Sequence, residues 1–270
     1  MTPIVALLTD FGLQDPYVGQ MKSALLRDLP ECRIVDLTHG VRPHGILQAG
    51  FFLAASWAYL PREAVCLAVV DPGVGTKRDI LVVRKDRKYV LAPDNGLVSL
   101  LLEQEEPQEM WSLCRERFSQ ASPTFHGRDI FVPAGLLLLQ GQHPSSLAKP
   151  VSEGEVVRLP EAAPQWNRAS LEASILHIDR FGNCVLNLAI ANWGHLLQAA
   201  SGLTMLRPQR RFVHPVQAYA SIPPGELGLL AGSQGFLELA LNQASCAHKL
   251  QASIGQSCRL ELNPGQDPGT

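Results

Sequence analysis

Two short segments carry the residue types that could act on a polar substrate. The first, DPGVGTKRDI (71–80), follows an apolar run, 64–70, that reads as a fully buried strand. Asp71 leaves that strand into a Pro-Gly-Val-Gly turn and Arg78 returns from it. A carboxylate and a guanidinium seven residues apart can therefore face each other across a tight turn. Gly73 and Gly75 leave room for a close backbone approach. Open α/β sheets bind ligands outside the carboxyl ends of their strands, where this turn would lie. The plain alternative is a structural turn with a surface ion pair. The second segment, TFHGRDIF (124–131), sets His126 before an apolar helical run, 130–139. Asp129 sits near the start of that run, where a carboxylate suits the helix dipole. Taken alone, His126 reads more readily as a loop histidine bonded to a helix start, and its combination with DPGVGTKR reverses that preference.

Three further segments hold candidates. LLTDFGLQDPYVGQMK places Asp10 just after a strand, 4–8, with Gly12, Asp15 and Tyr17 beyond it. A carboxylate there can accept from paired hydroxyls. Asp10 is less suited to capping, because the helix starts later, at Pro16 and Tyr17. Asp15, before Pro16, is placed to cap that helix. HIDRFGNCVLNL (177–188) puts Asp179, Phe181 and Asn183 on a turn between strands, and Asp and Asn are ordinary turn residues. GSQGFLELALNQAS (232–245) carries Ser233, Glu238 and Asn242. PDNGLVS (93–99) reads as a helix N-terminus entered through an Asn-Gly turn, and its place after a strand can bring it near the site.

The elements that must position these groups fall into two patterns. Strands at 4–8, 33–37 and 64–70 alternate with helices at 17–29 and 45–60. A hairpin over 80–84 and 88–92 turns at the polar Lys85-Asp86-Arg87, and helices follow at 97–103 and 130–140. This βαβ rhythm predicts a largely parallel sheet covered on both faces. From about residue 149 the chain becomes polar and proline-bearing, then breaks into short strands: 171–178, 184–188, 211–216, 227–231, 236–239 and 258–262, with a short helix at 190–199. The expected organisation is an α/β catalytic domain over 1–150, a linker over 151–167, a small all-β domain over 168–263 and a tail, 264–270.

Composition bounds the partners. The chain has 270 residues, mixed charges and a formal net charge of −2. That argues against nucleic acid as the main partner, since phosphate binding needs a basic face. RERF (115–118) and RPQRRF (207–212) are local basic clusters; Arg207, Arg210 and Arg211 read as a solvated turn around Pro208. The six cysteines form no C-x-x-C pair and are expected reduced and structural. The eight histidines lack ligand spacing, so no metal site is expected. With neither a signal core nor a membrane-spanning run in view, the expectation is a cytoplasmic protein without membrane contact.

In this order, LTDFG, DPGVGTKR, FHGRDIF, IDRFGN and GSQGF resemble the S-adenosyl-L-methionine hydroxide adenosyltransferase family, which is related to the fluorinases and chlorinases. The resemblance covers nearly the whole chain, to about residue 262, and DPGVGTKR with FHGRDIF is its specific part. Protein kinases also use Asp-Phe-Gly, but here it lies about ten residues from the N-terminus with no glycine-rich loop or lysine strand before it. The resemblance implies an N-terminal Rossmann-like, largely parallel sheet domain followed by a β-barrel-like domain. It implies hydrolysis of S-adenosyl-L-methionine to adenosine and L-methionine, with no cofactor, in a homotrimer whose active sites lie between subunits.

It also implies roles. Asp71, Arg78 and His126 form the water-activating triad. Asp10 holds the ribose hydroxyls, and Asp15 lies near the methionine amino group. Asp179 meets the substrate ammonium, Phe181 and Asn183 the adenine, and Ser233 the methionine carboxylate. Glu238 and Asn242 lie on the strand and turn that bind adenine, largely through backbone. The sequence departs from the fluorinases in three places: Tyr17 stands for a serine, Gln234 for an arginine, and the 179–183 loop is one residue shorter.

A sulfonium leaves as neutral methionine, so no general acid is needed; the nucleophile must be held in line and partly desolvated. A carboxylate beside an arginine is a weak base, which suits Asp71 to orienting water. Arg78 would stabilise hydroxide. His126, with an ordinary pKa near ~6.5, is the better candidate to accept a proton. Halide transfer to the same carbon is the runner-up, and a charged triad weighs against it because a carboxylate repels an anion. A non-catalytic S-adenosylmethionine or adenosine sensor is a second alternative. A phosphate-handling hydrolase is the weakest, since DPGVGTKR is no P-loop.

Overall fold

The first strand, β1 (Ile4–Thr9), sets the architecture, because its side chains feed two cores. Val5 and Leu7 point to one face and Ala6 and Leu8 to the other, and all four are fully buried. A strand buried on both faces must have helices above and below it. Helix α1 (Tyr17–Asp28) covers the first face with Met21 and Leu25. After β2 (Arg33–Thr38), helix α2 (Ile46–Trp57) covers the second with Ala49, Leu53 and Trp57. The chain then returns to the other side of β1 as β3 (Val65–Val69). Each such fully buried Leu contributes about 1.5–3 kcal/mol relative to exposure.

The computed structural model describes residues 2–104, 109–167, 170–198 and 202–262. The chain divides into two compact units, Met1–Leu159 and Pro160–Thr270. In the first, β4 (Ile80–Lys85) and β5 (Lys88–Pro93) form the expected hairpin. Asp86 and Arg87 take the left-handed φ of 52° and 61° that a two-residue turn demands. Then come α3 (Ser99–Gln104), β6 (Glu109–Leu113), α4 (Val132–Leu139) and β7 (Ala148–Pro150). The seven strands run in the order β2-β1-β3-β5-β4-β6-β7.

This corrects the largely parallel sheet. The pairs β1–β2, β1–β3 and β3–β5 are parallel, but β4–β5, β4–β6 and β6–β7 are antiparallel. The hairpin reverses the chain direction at β4, and β6 and β7 extend the sheet from that reversed strand.

In the second unit, β8 (Gln165–Asn167) and β9 (Ser170–Ile178) precede β10 (Cys184–Ala189), and the helical turn α5 (Ile190–Trp193) follows. Then come β11 (Leu203–Arg207), β12 (Arg211–Pro215), β13 (Leu227–Ala231), β14 (Phe236–Ala240), α6 (Cys246–Leu250) and β15 (Ser257–Leu262). The order β10-β14-β13-β12-β11-β15-β9 closes on itself through β9–β10 into a seven-stranded barrel, with β8 added on β9. Alternate residues of β9, namely Leu171, Ala173 and Ile175, fill the interior, as the period of two requires.

The expected linker, 151–167, is not a free tether. Ser152 and Glu155 form a capping box, Val157 N donates to Asp94 Oδ1 at 2.9 Å, and Leu159 N donates to Ser99 Oγ at 2.9 Å. The side chains of Asp94 and Ser99 thus satisfy backbone N–H groups of this stretch, and its last three residues pair as β8. The expected helix at 190–199 is α5 followed by a 3₁₀ turn, Gly194–Gln198; residue 199 and the tail, 264–270, lie outside the described residues. Among the described residues no helix is long and apolar enough to cross a membrane.

Candidate active site

Strand order creates the crevice. β1 has β2 on one side and β3 on the other, and their crossover helices lie on opposite faces, so the chain reverses its winding direction at β1. At such a switch point the loops leaving the two strands part and leave a crevice at their carboxyl ends. Asp10 directly follows β1, and Asp71 follows β3 after Val70. A cleft of about 310 Å³ lies there, lined by Asp10, Asp71 and His126 among others.

Asp71 and Arg78 meet as a bidentate pair. Arg78 Nε donates to Asp71 Oδ1 at 2.6 Å and Arg78 Nη2 donates to Asp71 Oδ2. Their side chains are only 5% and 10% exposed, so this is no surface ion pair. The turn between them is built for the meeting. Val74 N donates to Asp71 O at 3.2 Å, Thr76 N to Gly73 O at 3.1 Å, and Thr76 Oγ1 to the same carbonyl at 2.7 Å. Gly75 has φ +82°, and a Cβ there would meet Pro123 O at 2.8 Å. Asn95, from the PDNG turn, fixes the end of β3: its Nδ2 donates to Val70 O at 2.9 Å.

His126 completes the contact set. Its Nδ1 lies 3.2 Å from Arg78 Nη2. A guanidinium only donates, so Nδ1 must present its lone pair, and the neutral ring carries its proton on Nε2. Burial, then the positive charges of Arg78 and Arg115, push the His126 pKa below its ordinary value, while Asp71 and Asp129 oppose them less strongly. These contacts weigh against His126 as the group that takes the proton. Its free lone pair already faces a cation, and its environment favours the neutral form. The residue follows a loop tied down by Asp129, whose Oδ2 accepts from Ser122 N at 3.0 Å. The expected helix at 130–140 starts earlier, with a π turn over Gly127–Phe131 that runs into α4.

Asp10 Oδ2 accepts from His44 N at 2.8 Å. Asp15 is exposed and outside the cleft lining, and it does not cap α1: the N-cap position is Pro16, with no side-chain cap. The fixed ring of Pro16 occupies the position an Asx cap would need. Sequence reasoning missed the aromatic wall of the cleft. Phe11, Tyr17 and Phe125 have ring centroids 5.2–5.9 Å apart in tilted and edge-on contacts. The signal was present as Phe11 and Tyr17 in the N-terminal segment and Phe125 directly before His126.

In the barrel unit, the turn between β9 and β10 gathers Asp179, Phe181 and Asn183. Asp179 Oδ1 accepts from Phe181 N at 2.9 Å and Asn183 N at 2.8 Å, and Asp179 Oδ2 accepts from Asn183 Nδ2 at 2.9 Å. The carboxylate thus shapes its own turn. Gly182 takes φ +87° against Ser245, where a side chain would collide. Phe181 is 79% exposed while Asn183 is buried. Glu238, in the middle of β14, is buried on the outer face of the barrel and accepts from Tyr219 OH. Burial first, then Asp179, raises its pKa, although the Tyr219 bond opposes them. Strand register puts Asn242 and the 179–183 turn at one end of β14, and Ser233, exposed, at the other. The structure therefore joins Asp71, Arg78, His126 and Asp10 around one cleft, and Asp179, Phe181 and Asn183 in one turn. It does not bring Ser233 to that turn. Among the described residues no group of three or more His, Cys, Asp or Glu side chains is placed to hold a metal ion.

Comparison with known proteins agrees over both units. Residues 5–148 match the SAM hydroxide adenosyltransferase N-terminal domain, and residues 173–259 match the C-terminal domain of the same family. The (R)-S-adenosyl-L-methionine hydrolase of Thermus thermophilus is 35% identical over 95% of this chain and 98% of its own. A fluorinase of Actinopolyspora mzabensis is 24% identical over 96% and 97%. A solved structure of a conserved protein from Thermotoga maritima superposes with a TM-score of 0.83 at 28% identity, covering 95% of this chain and 99% of that one. The chain belongs to the SAM hydroxide adenosyltransferase family.

Proposed function

We propose that this chain hydrolyses S-adenosyl-L-methionine to adenosine and L-methionine, with the cleft at the ends of β1 and β3 as the water-holding part of the site. The observation that carries this is the buried contact set Asp71–Arg78–His126 facing a cleft it shares with Asp10. We read the sheet order around β1 as Rossmann-like, and Asp10 as the ribose partner.

In the reaction a water oxygen attacks C5′, the C5′–S bond breaks, and its electron pair stays on sulfur as neutral methionine. The oxygen then sheds a proton. A protonated alcohol is a strong acid, so no strong base is required. An Asp71 oxygen, with a lone pair left beyond the one used by Arg78, suffices to receive the proton and pass it to solvent. Arg78 holds Asp71 in place and balances its charge. His126 Nδ1 accepts from the same Arg78 Nη2 that reaches Asp71 and helps to fix the guanidinium. The work of the three is to place one water in line and keep it partly desolvated.

Asp179, Phe181, Asn183, Ser233, Glu238, Asn242 and Asp15 remain our proposed contacts to the adenine and methionine ends. We take the assembly to be a homotrimer with sites between neighbouring chains. All six cysteines are free thiols, which supports a reducing, cytoplasmic compartment.

The test is incubation with S-adenosylmethionine in the presence of chelator and, separately, of fluoride or chloride, followed by chromatography. Adenosine and methionine are expected in every arm. A 5′-halo-5′-deoxyadenosine product would support halide transfer. Tight binding without turnover would support a sensor. Adenosine that appears only after a metal is restored would overturn the metal-free reading.

A further inference from the structure

The RERF cluster is a basic motif that the proposed chemistry leaves unused. Arg115 opens a 3₁₀ turn, Arg115–Phe118, just after β6. Its Nη1 donates to Thr76 O at 2.6 Å and to Arg78 O at 3.2 Å. Both carbonyls belong to the returning arm of the loop that brings Arg78 to Asp71. No other side chain donates to these two carbonyls among the described hydrogen bonds. Arg115 also lines a second, larger cleft of about 870 Å³, and His126 lines both that cleft and the one holding Asp10 and Asp71. His126 thus borders two spaces, in contact with Arg78 and sharing the larger cleft with Arg115.

We propose that Arg115 is a positioning residue for the hydrolysis: it pins the Thr76–Arg78 backbone so that the guanidinium of Arg78 meets Asp71 and His126 together. The inference rests on the proposed reaction for its kinetic consequence but not for its electrostatic one. Arg78 and Arg115 both disfavour the imidazolium, and Asp71 and Asp129 favour it. Lys77, Asp79, Cys114, Glu116 and Lys149 also line the second cleft, and Asp10, Tyr17, His44 and Asp71 line the first, so the second cleft carries charges of both signs and the first carries carboxylates. Arg115 differs from the other lining charges in holding the loop as well as disfavouring the ring's protonation. Remove it, and the ring should protonate at higher pH while Arg78 loses its backbone anchor.

The experiment uses the full chain and three variants. His126 is titrated by NMR through its ring C–H signals, assigned by their loss in His126→Asn. Adenosine formation is followed in parallel. In Arg115→Gln the His126 midpoint should rise relative to the parent, and kcat should fall at least tenfold with KM changed less than threefold. Arg115→Lys keeps the charge and offers donors on a shorter, unforked head. It should return the midpoint to the parent value and recover part of kcat. If Arg115→Gln unfolds, Arg115→Lys carries the test: a midpoint that departs from the parent or a kcat fully equal to it overturns the proposal. For a folded Arg115→Gln, an unmoved His126 midpoint overturns it, and so does a moved midpoint with unchanged kcat. A parent that makes no adenosine yet shows the midpoint shift in Arg115→Gln would sink the proposed reaction and leave the electrostatic role standing.

Discussion

The Asp71–Arg78 pair poses a problem that only its partners resolve. Two charges almost out of water are costly apart, and breaking such a pair by removing one member destabilises by about 3–5 kcal/mol. Asp71→Ala and Arg78→Ala should each therefore lose stability as well as turnover. The double variant should lose clearly less stability than the sum, because neither leaves the other stranded. Urea unfolding of the four proteins measures the cycle; additive losses would mean that the two side chains do not sense each other. His126 offers a sharper discrimination. If its task is to accept from Arg78 through Nδ1, Asn can take over part of it through Oδ1. His126→Asn should retain more turnover than His126→Ala, whereas a proton-accepting role predicts that both are equally impaired. The pH dependence has a definite sign. The folded-state pKa is depressed below 6.5, so the unfolded chain binds the proton first. Stability from this group is present above 6.5 and is lost as pH falls through the folded value. His126→Asn should flatten that part of the stability profile.

Elements explain why some of this was legible in the sequence and some was not. Buried strands such as 64–70, the 80–93 hairpin and the two-residue alternation of β9 stand out because local pattern and environment agree. β6, β7, β8 and β11 did not. They are three to five residues long; β6, β7 and β11 gain their strand character from neighbours distant in sequence, as in Leu81–Ser112 and Leu203–Leu262 pairing, and β8 is a three-residue addition to the adjacent β9. The same holds for the site. Asp71 and Arg78 could be paired from their spacing across a turn. The lone-pair direction of His126, the carbonyl grip of Arg115 and the burial of Glu238 by Tyr219 depend on contacts no local pattern encodes. The turn itself can be tested at Gly75. Alanine there needs a left-handed φ costing about 1–2 kcal/mol, and its Cβ would press on Pro123 O. Gly75→Ala should lower kcat by shifting the 71–78 loop, while the barrel, an independent compact unit, keeps its own unfolding behaviour. Glu238 gives the opposite pH sign to His126. Its folded pKa lies above 4.5, so its stability contribution is full below 4.5 and is lost as pH rises through the folded value. Glu238→Gln, which cannot ionise, should remove that loss in a thermal-melt series across the acidic range.

At the scale of the molecule, the candidate residues divide between two units that each have their own core. Asp10, Asp71, Arg78 and His126 stand on the α/β unit, and Asp179, Asn183 and Glu238 on the barrel. Under the proposed reaction the cleft on the first unit takes the ribose hydroxyls and the attacking water, and a nucleoside and an amino acid then need further partners. Under the proposed homotrimer those partners come from the barrel of a neighbouring chain, and a ring of identical heterologous contacts then makes three equivalent sites. This has a consequence that a self-contained monomer does not share. Asp71→Ala chains and Asn183→Ala chains should each be inactive alone. Mixed under conditions that allow subunit exchange, they should regain activity, because some sites then draw an intact α/β half from one chain and an intact barrel half from the other. The recovered rate should grow with exchange time and vanish if the chains are cross-linked before mixing. Sedimentation checks the assembly directly. A fully active monomer, or mutants that demonstrably exchange yet recover nothing, would place every group needed for turnover on a single chain.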